Sequence, residues 1–287
     1  MIVGLAMLGA GAGAGLFGSL LGLGGGTLIV PLLTLGFGLP LRDAVGVSLV
    51  AVIVTSSASA SVFLQRHAAN LRLGMTLELF TATGAIVGGI VAFALDVRLL
   101  AGLFAALLVY VGLSMVLRRG APPAEAEGIA AAADDDPPAA GAALDDTARA
   151  GPGQGVAARL SGPGYRVHRL GAGVAGSLFA GVVSALLGIG GGTVKVPLMH
   201  LAMGVPLRVA TATSNLMMGV TASASAVIYL LRGGIDPYVA GPTAIGVFVG
   251  ASIGSRVVHR IDLRVLRLLF TVVLLYTAFQ MARKALG

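Results

Sequence analysis

The chain has 287 residues, of which 56% are apolar and only 11% charged, with a mean hydropathy of +0.95 and a formal charge of +7. Soluble domains carry about 25% charged residues, so too few polar side chains exist to cover a surface in water. An all-α polytopic membrane protein is expected, and the basic balance reads as loops that orient the chain in a bilayer rather than as a nucleic-acid surface.

Cysteine is absent, which excludes disulfides and cysteine-based redox or metal chemistry. His67, His168, His200 and His259 are scattered without ligand spacing, so neither a metal nor a cofactor is expected. A β-barrel is excluded because barrel strands alternate apolar and polar residues, whereas these segments are apolar all round.

In chain order, a long apolar segment covers about residues 3–22 and meets the glycine run Gly24–Gly26. No basic residue precedes Arg42, so no cleaved signal peptide is expected. A short segment follows from Thr27 to about Phe37, with Pro31 inside it. Its dozen or so helical residues rise about 18 Å, roughly half of the hydrocarbon core. Three full-length segments then run at about 43–64, 74–94 and 98–117.

Residues 120–155 change character: Ala, Pro and Gly dominate, with Glu125, Glu127, Asp134, Asp135, Asp136, Asp145 and Asp146 among them. Such a stretch buries too little apolar surface to fold and reads as a disordered linker. A mildly basic run with Arg159, Arg166 and Arg169 leads out of it, suited to lipid headgroups.

The remainder repeats the first part. Displaced by 166 residues, positions 20–119 fall on 186–285 without a gap, and more than a third are identical. "LGLGGGTLIVP" (Leu21–Pro31) falls on "LGIGGGTVKVP" (Leu187–Pro197), and "PLR" at Pro40–Arg42 falls on Pro206–Arg208. "SASA" at Ser57–Ala60 returns at Ser223–Ala226. The chain therefore divides into a transmembrane repeat over 1–119, a linker over 120–165 and a second repeat over 166–287. Each repeat holds a Gly-broken helix pair plus three spanning helices.

Charge arbitrates the relative orientation of the repeats. Parallel repeats divide the Lys and Arg residues, leaving out Lys195, eleven to seven. Inverted repeats place thirteen on one side and only Arg42, Arg98, Arg232, Arg283 and Lys284 opposite. The richer side should be cytoplasmic, so inverted repeats are expected, with the linker in the cytoplasm and both termini outside.

Gly/Pro-interrupted segments at matching positions of two halves point to a transporter's binding site. Irregular backbone at membrane depth survives only where it is buried or lines a wet cavity. The helix starting after each glycine run has unpartnered N–H groups, and glycine lets an anion approach them closely. The candidate substrate-binding set is Gly24, Gly25, Gly26, Thr27, Gly190, Gly191, Gly192, Thr193, Lys195, Ser48, Ser214 and Asn215. Lys195 replaces Ile29 of the first half, with no acid near it in sequence. A bound anion, or coupling to a proton or other ion, would explain a lysine there. Asn215 replaces Leu49, and an amide in lipid must find partners. His200 reads as a satisfied core residue.

Two motif matches lack their structural context. "GAGLFG" at Gly13–Gly18 fits a dinucleotide fingerprint but lies within one apolar segment, with no strand before it. "GASIG" at Gly250–Gly254 fits a nucleophile elbow, with Ser252 and His259 as the pair of a membrane-embedded serine hydrolase. Its first-half equivalent keeps Gly84 and Gly88 but lacks the serine, so close helix packing explains both copies.

The duplicated "GxGGGxxxxP" element, followed by "GLPLRDAVGVS" in one half and "GVPLRVATATS" in the other, resembles the sulfite exporter TauE/SafE family over the whole chain apart from 120–165. The resemblance implies a multi-pass inner-membrane protein that exports small sulfur-containing anions such as sulfite or organosulfonates without ATP. That makes it a transporter and not an enzyme. An anion channel of similar architecture is the alternative. The expected partners are a small anion, membrane lipid and a coupling proton or ion, with homo-oligomers left open.

Overall fold

The computed structural model describes residues 2–21, 26–65, 69–117, 160–162, 165–257 and 263–286. Gly24, Gly25, His67, His259 and nearly all of the predicted linker lie outside the described residues. The described chain is helical, with one isolated bridge between Gly162 and Tyr165.

The helices are α1 (Ile2–Leu21), α2 (Gly26–Pro31), α3 (Leu41–Gln65), α4 (Leu71–Ala94) and α5 (Val97–Leu117), then α6 (Leu170–Leu187), α7 (Gly192–Pro197), α8 (Leu207–Leu231), α9 (Pro237–Val257) and α10 (Leu263–Leu286). The bounds of α3, α4 and α5 fall within a few residues of the predicted segments. Among the described residues, three helices, Leu71–Ala94, Leu170–Leu187 and Val209–Leu231, are long and apolar enough to cross a bilayer.

Both short helices widen at their proline. α2 passes into a π-helical stretch at Leu32–Gly36, and α7 does the same at Leu198–Ala202. Proline has no N–H and its ring crowds the carbonyl four residues back, so the turn beside it loosens. Gly38 and Gly204 then carry φ of +70° and +72°, a region open to glycine without steric cost. Leu39 N donates to Leu33 O and Val205 N to Met199 O, so the two turns after the short helices close in the same way.

Helices pack across the midpoint of the chain: α1 lies on α9, α4 on α6, α3 on α8 and α5 on α10. Displacement by 166 residues converts α1–α9 into α6–α4. The pairs are close because glycines face backbone. Gly84 packs on Leu178 O, Gly181 on Thr81 O, Gly246 on Leu8 O and Gly250 on Ala12 O. The Gly250 contact is helix packing, as the duplicated pattern implies, and Ser252 Oγ donates to Phe248 O of its own helix.

The outer surface is apolar, unlike that of a soluble helix bundle. On α4 the inward face carries Gly74, Glu78, Thr81, Gly84 and Gly88, while Met75, Leu79, Val87 and Ile90 face outward. Phe179, Leu231 and Phe279 are likewise exposed. Lipid is the solvent that makes such a surface stable.

The two ends of the bundle are tied separately. At one, Arg42 Nη2 donates to Leu95 O at 2.6 Å, and the Arg42 and Arg232 guanidiniums lie 5.6 and 5.8 Å from the Phe93 ring centroid. At the other, Asn70 Oδ1 caps α4 through Leu73 N, and Asn70 Nδ2 donates to Tyr165 Oη at 2.7 Å and Leu160 O at 2.9 Å. Leu160 and Val167 pack with Leu73, Met199 and Met203, and His168 N donates to Met203 O. The chain is thus already packed against the helices at Leu160, before residue 166. Burial pushes the Tyr165 phenol above its ordinary range, while the Asn70 bond pulls it back.

Candidate functional site

The two glycine breaks touch. A Cβ on Gly26 would lie 2.7 Å from Gly188 O and 3.2 Å from Ile189 Cα, so only glycine allows this approach. Ser48, on α3, joins them: its hydroxyl lies 2.7 Å from Gly188 O and 3.3 Å from Gly26 O. The second break is strained for any other residue, since Gly188, Gly190 and Gly191 have φ of +69°, +81° and +76°. Gly191 O accepts from Lys195 N and Val194 N, which starts α7.

Lys195 follows from that start. Helical side chains lean towards the N-terminus of their helix, so the Lys195 stem runs back along Gly191, with Cε 3.4 Å from where a Gly191 Cβ would be. Its side chain is 1% exposed. A lysine at membrane depth costs about 2.5–3.5 kcal/mol on insertion scales, and a partner is required.

That partner is Glu78, 117 residues earlier on α4. Lys195 Nζ lies 3.2 Å from Glu78 Oε2 and donates to Thr221 Oγ1 at 2.6 Å, while Thr221 Oγ1 donates to Glu78 Oε1 at 2.6 Å. Three helices, α4, α7 and α8, thereby close a ring of hydrogen bonds around a neutral ion pair. No acid near Lys195 in sequence anticipated this. A signal was nevertheless available: Glu78 sits inside a predicted span, and displacement by 166 residues puts Ala244 there, just as it puts Ile29 opposite Lys195. The two departures from the repeat are the two ends of one salt bridge.

The other predicted residues divide. Thr27, Ser48 and Ser214 are fully buried, and Asn215 is 5% exposed. The Thr27 and Ser214 hydroxyls have no hydrogen-bond partner, and neither does Ser184, whose Cβ lies 3.3 Å from the Gly191 Cβ position. Buried hydroxyls in native structures are nearly always satisfied by protein or ordered water. Asn215 Nδ2 reaches only Thr211 O of its own helix, at 3.2 Å.

Thr193 differs from its counterpart Thr27. It lines an apolar cleft of about 630 Å³ with Leu103, Leu107, Phe179 and Pro197, so the ring of donors around Lys195 does not include it. Gly24 and Gly25 lie outside the described residues. His200 Nδ1 lies 3.0 Å from Val205 O, but the residue is exposed, so it is satisfied locally and is not the core residue expected.

The family model for the sulfite exporter TauE/SafE matches residues 7–281. The chain belongs to the sulfite exporter TauE/SafE family. Among curated proteins, this TauE/SafE member is similar to the probable membrane transporter protein YunE of Bacillus subtilis (strain 168). The two are 24% identical over 277 residues, covering 93% of each chain. It is also similar to the Arabidopsis thaliana sulfite exporter TauE/SafE family protein 1. Identity there is 38% over 85 residues, which is 30% of this chain and 19% of the relative. No solved structure matches it. The family is one of membrane transporters, in keeping with the apolar helices and lipid-facing surface.

Proposed function

We propose that this protein is a multi-pass inner-membrane secondary transporter that exports a small sulfur-containing anion, such as sulfite or an organosulfonate. It works by alternating access between two inverted repeats. The observation that carries the reading is the meeting of the two glycine breaks at Ser48 beside a buried lysine. Substrate would be held by the Gly26 and Gly190–Gly192 backbones, Lys195 and the unpartnered hydroxyls of Thr27, Ser184 and Ser214. Pyramidal sulfite and tetrahedral sulfonates offer oxygens that accept several such donors at once.

Two contacts support inversion. Arg42 and Arg232 share the Phe93 ring, and His168 bonds Met203 beside the turn that precedes Arg208. Parallel repeats would put Arg42 and Arg232 on opposite faces of the membrane. In the inverted arrangement the Tyr165 and Asn70 end is cytoplasmic and the Arg42 end faces outward. The duplicated packing of α1 on α9 and α6 on α4 also suits a machine in which one half rocks against the other.

The test is flux into or out of proteoliposomes with radiolabelled sulfite, sulfoacetate, sulfate and chloride. Saturable, selective transport of a sulfur oxyanion that Lys195→Met abolishes, with the variant still folded, is the expected result. Flux that never saturates would mean a channel. No flux of any anion would overturn the reading.

A further inference from the structure

We propose that Glu78 is a tethered competitor for the anion site. Its carboxylate occupies the donors on Lys195 and Thr221 that a transported oxyanion takes, and a proton on Glu78 releases them, so that one anion and one proton travel together. This rests on the transporter reading above and names its coupling ion.

The chemistry of the ring carries the first step. Glu78 presents two oxygens to two donors, Oε2 to Lys195 Nζ at 3.2 Å and Oε1 to Thr221 Oγ1 at 2.6 Å. Two oxygens of a sulfonate or sulfite present the same pattern. The place already filled by a carboxylate is therefore shaped for another oxyanion.

Charge balance carries the second. Lys195 and Glu78 are 1% and 9% exposed at their side chains, and their sum is neutral. An anion added to that pair leaves an uncompensated buried negative charge, which proteins avoid. Adding a proton with the anion restores neutrality. The proton comes from water on one face, forms an O–H bond on a Glu78 oxygen, and returns to water on the other face. No other bond changes.

No other titratable side chain stands close enough to share this duty among the described residues. On α4, Arg72 lies in the exposed first turn, and α6 has no titratable residue. On α7 and its π-helical extension there are only Lys195 and His200, the latter bonded to Val205 O. On α8, Arg208 belongs to the first turn, while Tyr229, near the other end, donates to Ala185 O.

The repeat carries the third step. At the two matching positions stand Ile29 of the first half and Ala244 of the second, and Thr55, the counterpart of Thr221, bonds Ala51 O and Val52 O of its own helix. The same packing forms there without an ion pair, so the pair is not a requirement of the fold. Beside it, Ser184 and the Lys195 stem both pack against Gly191 of the glycine break, their Cβ and Cε lying 3.3 and 3.4 Å from where a Gly191 Cβ would be, and the Ser184 hydroxyl is unpartnered.

The experiment measures methanesulfonate, a monoanion over the whole range used, binding to the full chain in lipid nanodiscs from pH 5 to pH 8. Only protein with Glu78 protonated would bind, so the apparent Kd of the wild type should rise up to about tenfold per pH unit in the upper part of the range. Glu78→Gln, which keeps an acceptor for Lys195 but cannot ionise, should bind with a Kd constant to about twofold. In proteoliposomes containing a pH dye, a methanesulfonate gradient should drive protons with the wild type, and anion flux without protons with Glu78→Gln.

A pH-independent Kd and proton-free flux in the wild type would overturn the coupling while leaving the transporter reading intact. Absence of binding and flux for wild type and variant at every pH would instead strike the transporter reading itself. If Glu78→Gln fails to fold, the wild-type slope and proton flux still decide.

Discussion

Replacing Glu78 by alanine isolates the energetics of the buried ring. The change leaves the Lys195 ammonium, 1% exposed at its side chain, with Thr221 Oγ1 as its remaining hydrogen-bond partner. Removing one member of a buried ion pair costs about 3–5 kcal/mol, because the surviving charge stays desolvated. At about 2–4 °C per kcal/mol for a chain of this size, the melting midpoint should fall by about 6–20 °C. The informative comparison is the double variant Glu78→Ala with Lys195→Ile, which installs the residues found at the matching positions, Ala244 and Ile29. Exchanging a buried pair for apolar residues is often neutral or stabilising, so the midpoint should return to that of the wild type. Binding of methanesulfonate should nevertheless be lost. Thermal unfolding in detergent at pH 7, followed by circular dichroism and size-exclusion chromatography, reads both variants. A single variant within about 2 °C of the wild type, or a double variant no better than the single, would refute the assignment of this pair as a buried charge couple.

Ser48 and Ser214 occupy matching positions but do different things, so their alanine variants should separate. Ser48→Ala deprives the Gly188 and Gly26 carbonyls of their shared donor and should cost about 0.5–1.5 kcal/mol of stability in thermal unfolding. Ser214→Ala removes a hydroxyl with no partner and should leave the midpoint unchanged while weakening anion binding. Gly250→Ala drives a methyl group into Ala12 O and should cost about 1–3 kcal/mol, seen as a reduced yield of monodisperse protein. Ser252→Ala should have no such effect. The absence of native cysteine permits a clean topology test. Single cysteines at Arg42 and Arg208 should be labelled by an impermeant maleimide from opposite sides of the membrane, whereas labelling from the same side would overturn the inverted arrangement.

Much of the architecture was legible before any coordinates. The segments predicted at 43–64, 74–94 and 98–117 became Leu41–Gln65, Leu71–Ala94 and Val97–Leu117, because a long apolar run in a chain with so few charges has one stable solution in lipid. The glycines were legible in kind: a run of three followed by proline marks a broken helix, and Gly84 and Gly250 mark close packing. Thr193 was harder to read, since its register on α7 turns it towards an apolar cleft although its identity matches Thr27. Asn215 reaches only its own helix, a local bond that any amide in lipid can make.

By itself, then, the sequence determined the solvent and the helical class, and its matching glycine runs pointed to a duplication and to two points where helices break. Each of these follows from composition or from a pattern local along the chain. Only the tertiary structure decided that the two breaks touch through Gly26, Gly188 and Ser48, and that Lys195 meets Glu78. Contacts between α4 and α7 obey no period and no spacing. They exist because helices from the two halves of the chain pack across its midpoint, and because a buried charge settles wherever that packing brings its opposite.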